Sequence, residues 1–240
     1  MTTDKFTNRT VGEIVTANYQ TASVFQSYGI DFCCGGNITV EKACEKKGID
    51  PDEVYTALGN TVQSSNGAHN YNQWSLEFLI DYIINNHHTY VRSKMPEIDA
   101  FARKVAKVHG RRHPELNEIQ QLVKKLYTEI LDHLEKEEKD VFPYIQKLNG
   151  GANGVTFSSE EAHYDYEVHP VTLMEEEHDE AGGIMERIQE LSEDFSPPQD
   201  ACTTYRLLFK YLEDFQKDLH KHVHLENNIL FPKALKLEKS

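Results

Sequence analysis

Between residues 71 and 240 the apolar positions recur every three or four residues, and almost nowhere every two. On the last long segment Leu208, Leu212, Phe215, Leu219, His222, Glu226 and Ile229 step by 4, 3, 4, 3, 4, 3. Ile119, Val123, Leu126, Ile130, His133 and Glu137 step the same way, as do Met174, His178, Ala181, Met185 and Ile188. This is the spacing of a helical seam facing a core. Gly and Pro cut the segment into four long amphipathic helices, over about Ser75–Val108, Pro114–Leu148, Val171–Asp194 and Ala201–Leu237. They predict an antiparallel four-helix bundle. Pro96, Pro143 and Pro232 fall inside these spans and are expected to kink a helix or start a new turn. Residues 150–170 form a long polar connection.

The first 62 residues read differently. Val11, Ile14, Val15, Ala22 and Phe25 sit at helical intervals, Gly29 and Gly35-Gly36 mark turns, and Asp50-Pro51-Asp52-Glu53 opens a helix. Three or four short helices are expected. Gln63-Ser64-Ser65-Asn66-Gly67-Ala68 is a linker by composition. The predicted organisation is therefore all-α, with a small helical domain at 1–64 and the bundle at 71–240.

Charge narrows the function. Lys and Arg number 25 against 39 Asp and Glu, a formal net charge of −14. So acidic a chain is a poor nucleic-acid binder. No apolar run of 18 residues is present, which argues against a membrane span. Met1–Thr10 lacks the apolar stretch of a secretory signal. The four Cys (33, 34, 44 and 202) make no disulfide framework, so a reduced, cytoplasmic chain is expected. Twelve His in an acidic chain invite a search for metal ligands.

That search finds an internal repeat. His133 to Pro143 and His222 to Pro232 both read H-x-x-x-E-x-x-x-x-F-P. In each copy the His and Glu lie on the apolar seam, where a Glu is rarely buried unless paired or bound to metal. His178 is a seam residue of the third helix. On the first helix Ile80, Ile84, His88, Val91 and Met95 place His88 inside, while Leu76, Leu79, Ile83, His87 and Tyr90 keep His87 open. His88 and His133 are 45 residues apart about the turn at Gly110, and His178 and His222 are 44 apart about the turn near residue 200. Residues equidistant from a hairpin turn lie at equal height, so four His and two Glu share one layer. Such a set suits iron in particular, and also manganese or zinc.

The remaining chemistry is more ordinary. His109, His113, His163 and His169 read as loop or surface residues, and His220 and His224, off the seam, as solvated. Cys44 and Cys202 read as small core residues. The run Glu175-Glu176-Glu177 suits a helix N-terminus. Cys33-Cys34 is adjacent rather than C-x-x-C, so no thioredoxin-type dithiol is indicated.

These motifs together resemble the hemerythrin-like di-iron proteins that repair iron–sulfur clusters, the repair of iron centres family. The resemblance rests on Tyr28-Gly-Ile-Asp-Phe32-Cys33-Cys34-Gly35-Gly36, on Met95-Pro96-Glu97 following His88, and on Glu177-His178-Asp179-Glu180-Ala181-Gly182. It rests also on Ala201-Cys202-Thr203-Thr204 and Leu225-Glu226-Asn227-Asn228-Ile229-Leu230-Phe231-Pro232, and it spans nearly the whole chain. The longer, polar 150–170 connection departs from the family pattern. The resemblance implies a cytoplasmic, homodimeric protein with two non-haem iron ions joined by an oxo or hydroxo bridge. It selects His88 over His87. The implied ligands are His88, His133, Glu137, His178, His222 and Glu226, with the two Glu bridging. It implies iron donation to damaged iron–sulfur clients after nitrosative or oxidative stress, rather than catalytic turnover. Glu129 and Glu177 are expected to line an exit path for iron, and Cys33 and Cys34 to handle thiol or iron transfer. The alternatives are a dioxygen- or nitric-oxide-binding module and a di-iron nitric-oxide or peroxide reductase.

Overall fold

Helices form wherever the seams predict them. The computed structural model describes residues 6–64, 71–150, 162–164 and 167–239. Much of the expected linker and of the 150–170 connection lies outside them. Among the described residues there is no strand, only an isolated bridge between Thr10 and Thr39. The chain divides into two units, residues 1–79 with 220–240, and residues 80–219.

In the first unit, short helices are fixed by their ends. Helix α1 (Val11–Ala17) starts with a capping box: Thr10 Oγ1 accepts from Glu13 N–H at 3.1 Å, and Glu13 Oε2 accepts from Thr10 N–H at 2.8 Å. A single 3-10 turn, Tyr19–Thr21, leads into α2 (Ala22–Ser27). Thr39 caps α3 (Val40–Lys47), which ends at Gly48 in the left-handed region (φ +68°). Pro51 opens α4 (Pro51–Ser64), behind an Asp50 side chain that accepts from Asp52 N–H. Val11, Ile14, Phe25, Val40, Cys44, Val54 and Leu58 are buried.

The second unit is built from long helices. Helix α5 (Leu76–Tyr82) continues through a π-helical stretch, Ile83–His88, into α6 (Thr89–His109). Helix α7 (Glu115–Lys136) passes through a second π stretch, Glu137–Val141, into α8 (Phe142–Asn149). Helices α9 (Pro170–Leu191) and α10 (Thr203–Leu225) follow. Back in the first unit, a third π stretch, Glu226–Leu230, leads to α11 (Phe231–Glu238).

Neighbouring helices run antiparallel. Glu118 meets Arg187 and Glu177 meets His133 across α7 and α9. Near one end of α6 and α10, His87 meets Asp218; near the other, His109 packs on Tyr205. Gln189 and Gln216 join α9 to α10.

Three local expectations change. Pro96 lies inside an unbroken α6. It is exposed, as is Arg92 four residues before it, so water can satisfy the carbonyl the proline leaves unbonded. Helix α9 stops at Leu191, not Asp194, because Glu193, Asp194 and Phe195 all take left-handed φ (50°, 55° and 57°). Each such residue costs roughly 1–2 kcal/mol. Here Ser192 Oγ accepts from Phe195 N–H, and the Gln189 side chain donates to Asp194. Because α9 starts at Pro170, Glu175–Glu177 lie beyond its first turn, which contains no acidic residue.

Candidate metal centre

Four of the six seam residues meet inside the second unit. Glu137 opens the π stretch after α7 and is 0 % exposed. Its Oε2 lies 3.2 Å from His88 Nε2, and its Oε1 lies 3.4 Å from His133 Nε2. His133 Nε2 lies 3.0 Å from His178 Nε2. Two ligand atoms at right angles, each about 2.1 Å from one ion, stand about 3.0 Å apart. Ring nitrogens and carboxylate oxygens converge here at the spacing of a coordination shell.

Burial alone pushes the Glu137 carboxyl up. The charges and hydrogen bonds of His133 and His88 outweigh it and hold the group well below the usual carboxylate range. An ionised, fully buried carboxylate requires positive charge beside it. In the first unit His222 and Glu226 repeat the pair: His222 Nε2 lies 3.0 Å from Glu226 Oε1, with both side chains fully buried.

Carboxylates orient the imidazoles from behind. His88 Nδ1 lies 2.7 Å from Glu138 Oε1, which Arg92 also holds at 2.6 Å. The hydrogen bond from His88, then that from Arg92, keep the Glu138 carboxyl down at about 2, against an opposing push from partial burial. His133 Nδ1 lies 2.8 Å from Glu177 Oε2, and Lys136 holds the other Glu177 oxygen at 2.6 Å. An ionised carboxylate only accepts, so each Nδ1 carries a proton and each Nε2 is turned toward Glu137.

Comparison with known proteins agrees with this chemistry. Residues 7–61 match the Domain of Unknown function (DUF542), and residues 79–234 match the Hemerythrin HHE cation binding domain. An iron-sulfur cluster repair protein ScdA of Staphylococcus haemolyticus is 33% identical over 93% of this chain and 96% of its own length. An iron-sulfur cluster repair protein YtfE of Pectobacterium atrosepticum is 33% identical over 97% of this chain and 99% of its own. A probable iron-sulfur cluster repair protein of Haemophilus influenzae is 34% identical over 96% and 98%. The chain belongs to the iron–sulfur cluster repair protein family. Its bundle is a hemerythrin HHE cation binding domain.

Several residues of this repair-family chain lie elsewhere than their spacing suggested. His224 is fully buried, not solvated. It packs against Tyr19 and Phe32, and the Asn228 side chain lies 3.2 Å from its Nδ1. Burial lowers its pKa to about 3. His220 is half-buried against Phe32 and is also lowered by burial. The cause is a second packed face: the last helical turns belong to the same unit as residues 1–79. Cys44 is buried as expected, but Cys202 is exposed, 3.3 Å from His109 Nε2, because α10 begins only at Thr203. His163 is exposed and binds the buried Asp140 at 2.7 Å. His87 is buried beside His88, but its Nδ1 meets Asp218 at 2.9 Å. Glu129 is exposed and pairs with Lys125. Sequence reasoning missed Glu138; its only signal was the doubled Glu137-Glu138 beside a seam position.

The paired-cysteine segment is tightly folded. Asp31 Oδ1 accepts from Cys33 N–H at 2.8 Å and from Cys34 N–H at 3.1 Å, and Asp31 Oδ2 accepts from Gly35 N–H at 2.6 Å. Cys33 is buried and Cys34 partly exposed. The hydrogen bond with Cys34, then burial, then the Cys34 and Asp31 charges push the Cys33 thiol well up.

Proposed function

We propose that this chain repairs damaged iron–sulfur clusters, as the names of its relatives state, by donating iron held in its bundle. The ligand set is His88, His133, Glu137, His178, His222 and Glu226. They would hold two non-haem iron ions per chain, joined by an oxo or hydroxo bridge, with Glu137 and Glu226 as the bridging carboxylates. The observation that carries this reading is Glu137: fully buried, with each oxygen within 3.4 Å of a different histidine nitrogen. A carboxylate serving one ion would not need to face both ways. Helix α10 supports the remaining pair, since it runs unbroken to Leu225 and so carries His222 on the seam of Leu212, Phe215 and Leu219.

When bound, the iron supplies redox-dependent affinity: it is held firmly when oxidised and released more readily when reduced. The chain's residues do the rest. Glu138 and Glu177 hold a proton of His88 and of His133 on Nδ1, so both rings present Nε2 inward. Glu177 is partly exposed and touches His133, and Glu129 lies one helical turn before it on the surface. We assign them the outward route for an ion. The clients are iron–sulfur proteins that have lost iron to nitric oxide or oxidants, met in the cytoplasm. No described helix is long and apolar enough to cross a membrane.

The test is reactivation. An iron-loaded sample, with reductant, is mixed with a [4Fe–4S] dehydratase that has lost one iron. Activity should return with the native chain and not with Glu137→Leu/Glu226→Leu loaded under the same conditions. Equal recovery with both would refute iron donation from the bundle.

A further inference from the structure

We propose a further metal site in the first unit, formed by Asp31, Cys33 and Cys34, that takes a thiophilic divalent ion such as zinc(II) or iron(II). One ligand atom from each of the three residues lies within 4.8 Å of the other two. The two sulfurs are 3.9 Å apart. A tetrahedral ion about 2.3 Å from each of two thiolates sets them about 3.8 Å apart. Asp31 Oδ1 lies 3.2 Å from Cys33 Sγ, close enough to share the same ion. A bond between the sulfurs would need about 2.0 Å, so the loop in this form spaces them for a shared ligand.

The donor set fixes the class of ion. Two thiolates select zinc(II), iron(II) or copper(I) over magnesium or calcium. A third, hard carboxylate donor and a tetrahedral edge favour the divalent ions. Three protein ligands leave the fourth position for water or an exchanging ligand, the pattern of reactive rather than structural sites. On binding, both thiols lose their protons to solvent. The two thiolates and one carboxylate bring −3 against +2.

The loop is held ready. The three backbone N–H groups of residues 33–35 fix the Asp31 carboxylate, two on Oδ1 and one on Oδ2, and Oδ2 retains a further lone pair. Asn228, in the π stretch Glu226–Leu230, donates to the carbonyls of Phe32 (3.3 Å) and Cys33 (3.2 Å). Gly36 accepts from Gly12 N–H at 2.7 Å. Residue 36 must be glycine in this fold, because a Cβ there would lie 2.4 Å from the Phe32 carbonyl oxygen. The loop is therefore clamped on both sides of the cysteine pair. It shares no ligand with the bundle set and stands whether or not the bundle holds iron.

The experiment is a cobalt(II) titration of the full chain, stripped of metal by chelator and kept reduced by a phosphine. Only thiolate ligands give an intense sulfur-to-cobalt charge-transfer band, so His and Glu sites are silent in it. The band should saturate by about three equivalents, two of which the His and Glu set can take silently, and excess zinc(II) or iron(II) should abolish it. Which of the two displaces cobalt at lower concentration identifies the preferred ion. The band should survive in Glu137→Leu/Glu226→Leu and in Cys44→Ala/Cys202→Ala, and vanish in Cys33→Ser/Cys34→Ser. Asp31→Asn, which leaves both thiols in place, should weaken cobalt binding by roughly 10–100-fold or more. No band in the native chain with all thiols free, a band surviving in Cys33→Ser/Cys34→Ser, or unchanged affinity in Asp31→Asn would each overturn the site.

Discussion

At the residue scale, the imidazoles are only as good as the groups that hold them. Glu138 accepts from His88 Nδ1 and is held by Arg92. Glu138→Gln removes a charge and keeps the shape. Metal affinity should fall by roughly 10–100-fold in chelator competition, with the helical signal unchanged. Unchanged affinity would remove the orienting role. Away from the site, the Tyr55 phenol donates to Glu41 and holds its carboxyl below the usual 4.5. A depressed carboxyl adds stability above its unfolded pKa and loses it as pH falls through the folded one. Tyr55→Phe should therefore cost about 1 kcal/mol in urea unfolding at pH 7, and less at pH 3. A cost that does not shrink with acid would show that Tyr55 acts through packing alone.

At the element scale, the three π stretches coincide with the metal-ligand candidates. Ile83–His88 ends on His88, Glu137–Val141 begins at Glu137, and Glu226–Leu230 begins at Glu226. Such turns re-aim side chains and gather at functional sites. Pro143 and Pro232 each follow one, at the start of α8 and α11. The first stretch runs into Thr89 with no proline, so proline is not the common cause.

The seams were legible because heptad spacing reports burial directly, and it placed His133, Glu137 and His178 correctly on buried faces. The register shifts were not legible. A π turn adds one residue to a turn without changing composition, and three left-handed residues at 193–195 carry no glycine to announce them. His224 was misread for another reason: periodicity describes one packed face, and this helix has two. Glycine carries the most local information in the first unit. Gly36→Ala should lower stability by about 1–3 kcal/mol and expose the Cys33 thiol to alkylation, because the new methyl meets backbone rather than a movable side chain. A variant with native melting and an unreactive Cys33 would contradict that packing.

At the scale of the whole molecule, net charge of −14 and buried carboxylates oppose folding unless cations offset them. The metal-free native chain should thus be less stable than its loaded form. In thermal unfolding, loading should raise the midpoint of the native chain and leave Glu137→Leu/Glu226→Leu unmoved. Without metal the double variant should melt at or above the native chain, since replacing buried charge by well-packed apolar side chains is often neutral or stabilising by about 1–4 kcal/mol. A variant that melts well below the metal-free native chain would make the two Glu structural.

The central claim is that six residues hold two iron ions. It is tested most directly by the iron content and optical spectrum of protein from iron-replete cells, native against Glu137→Leu/Glu226→Leu. The account predicts about two irons per native chain, with oxo-bridge absorption that the double variant lacks. No iron in the native chain, or equal metal in both, would contradict it.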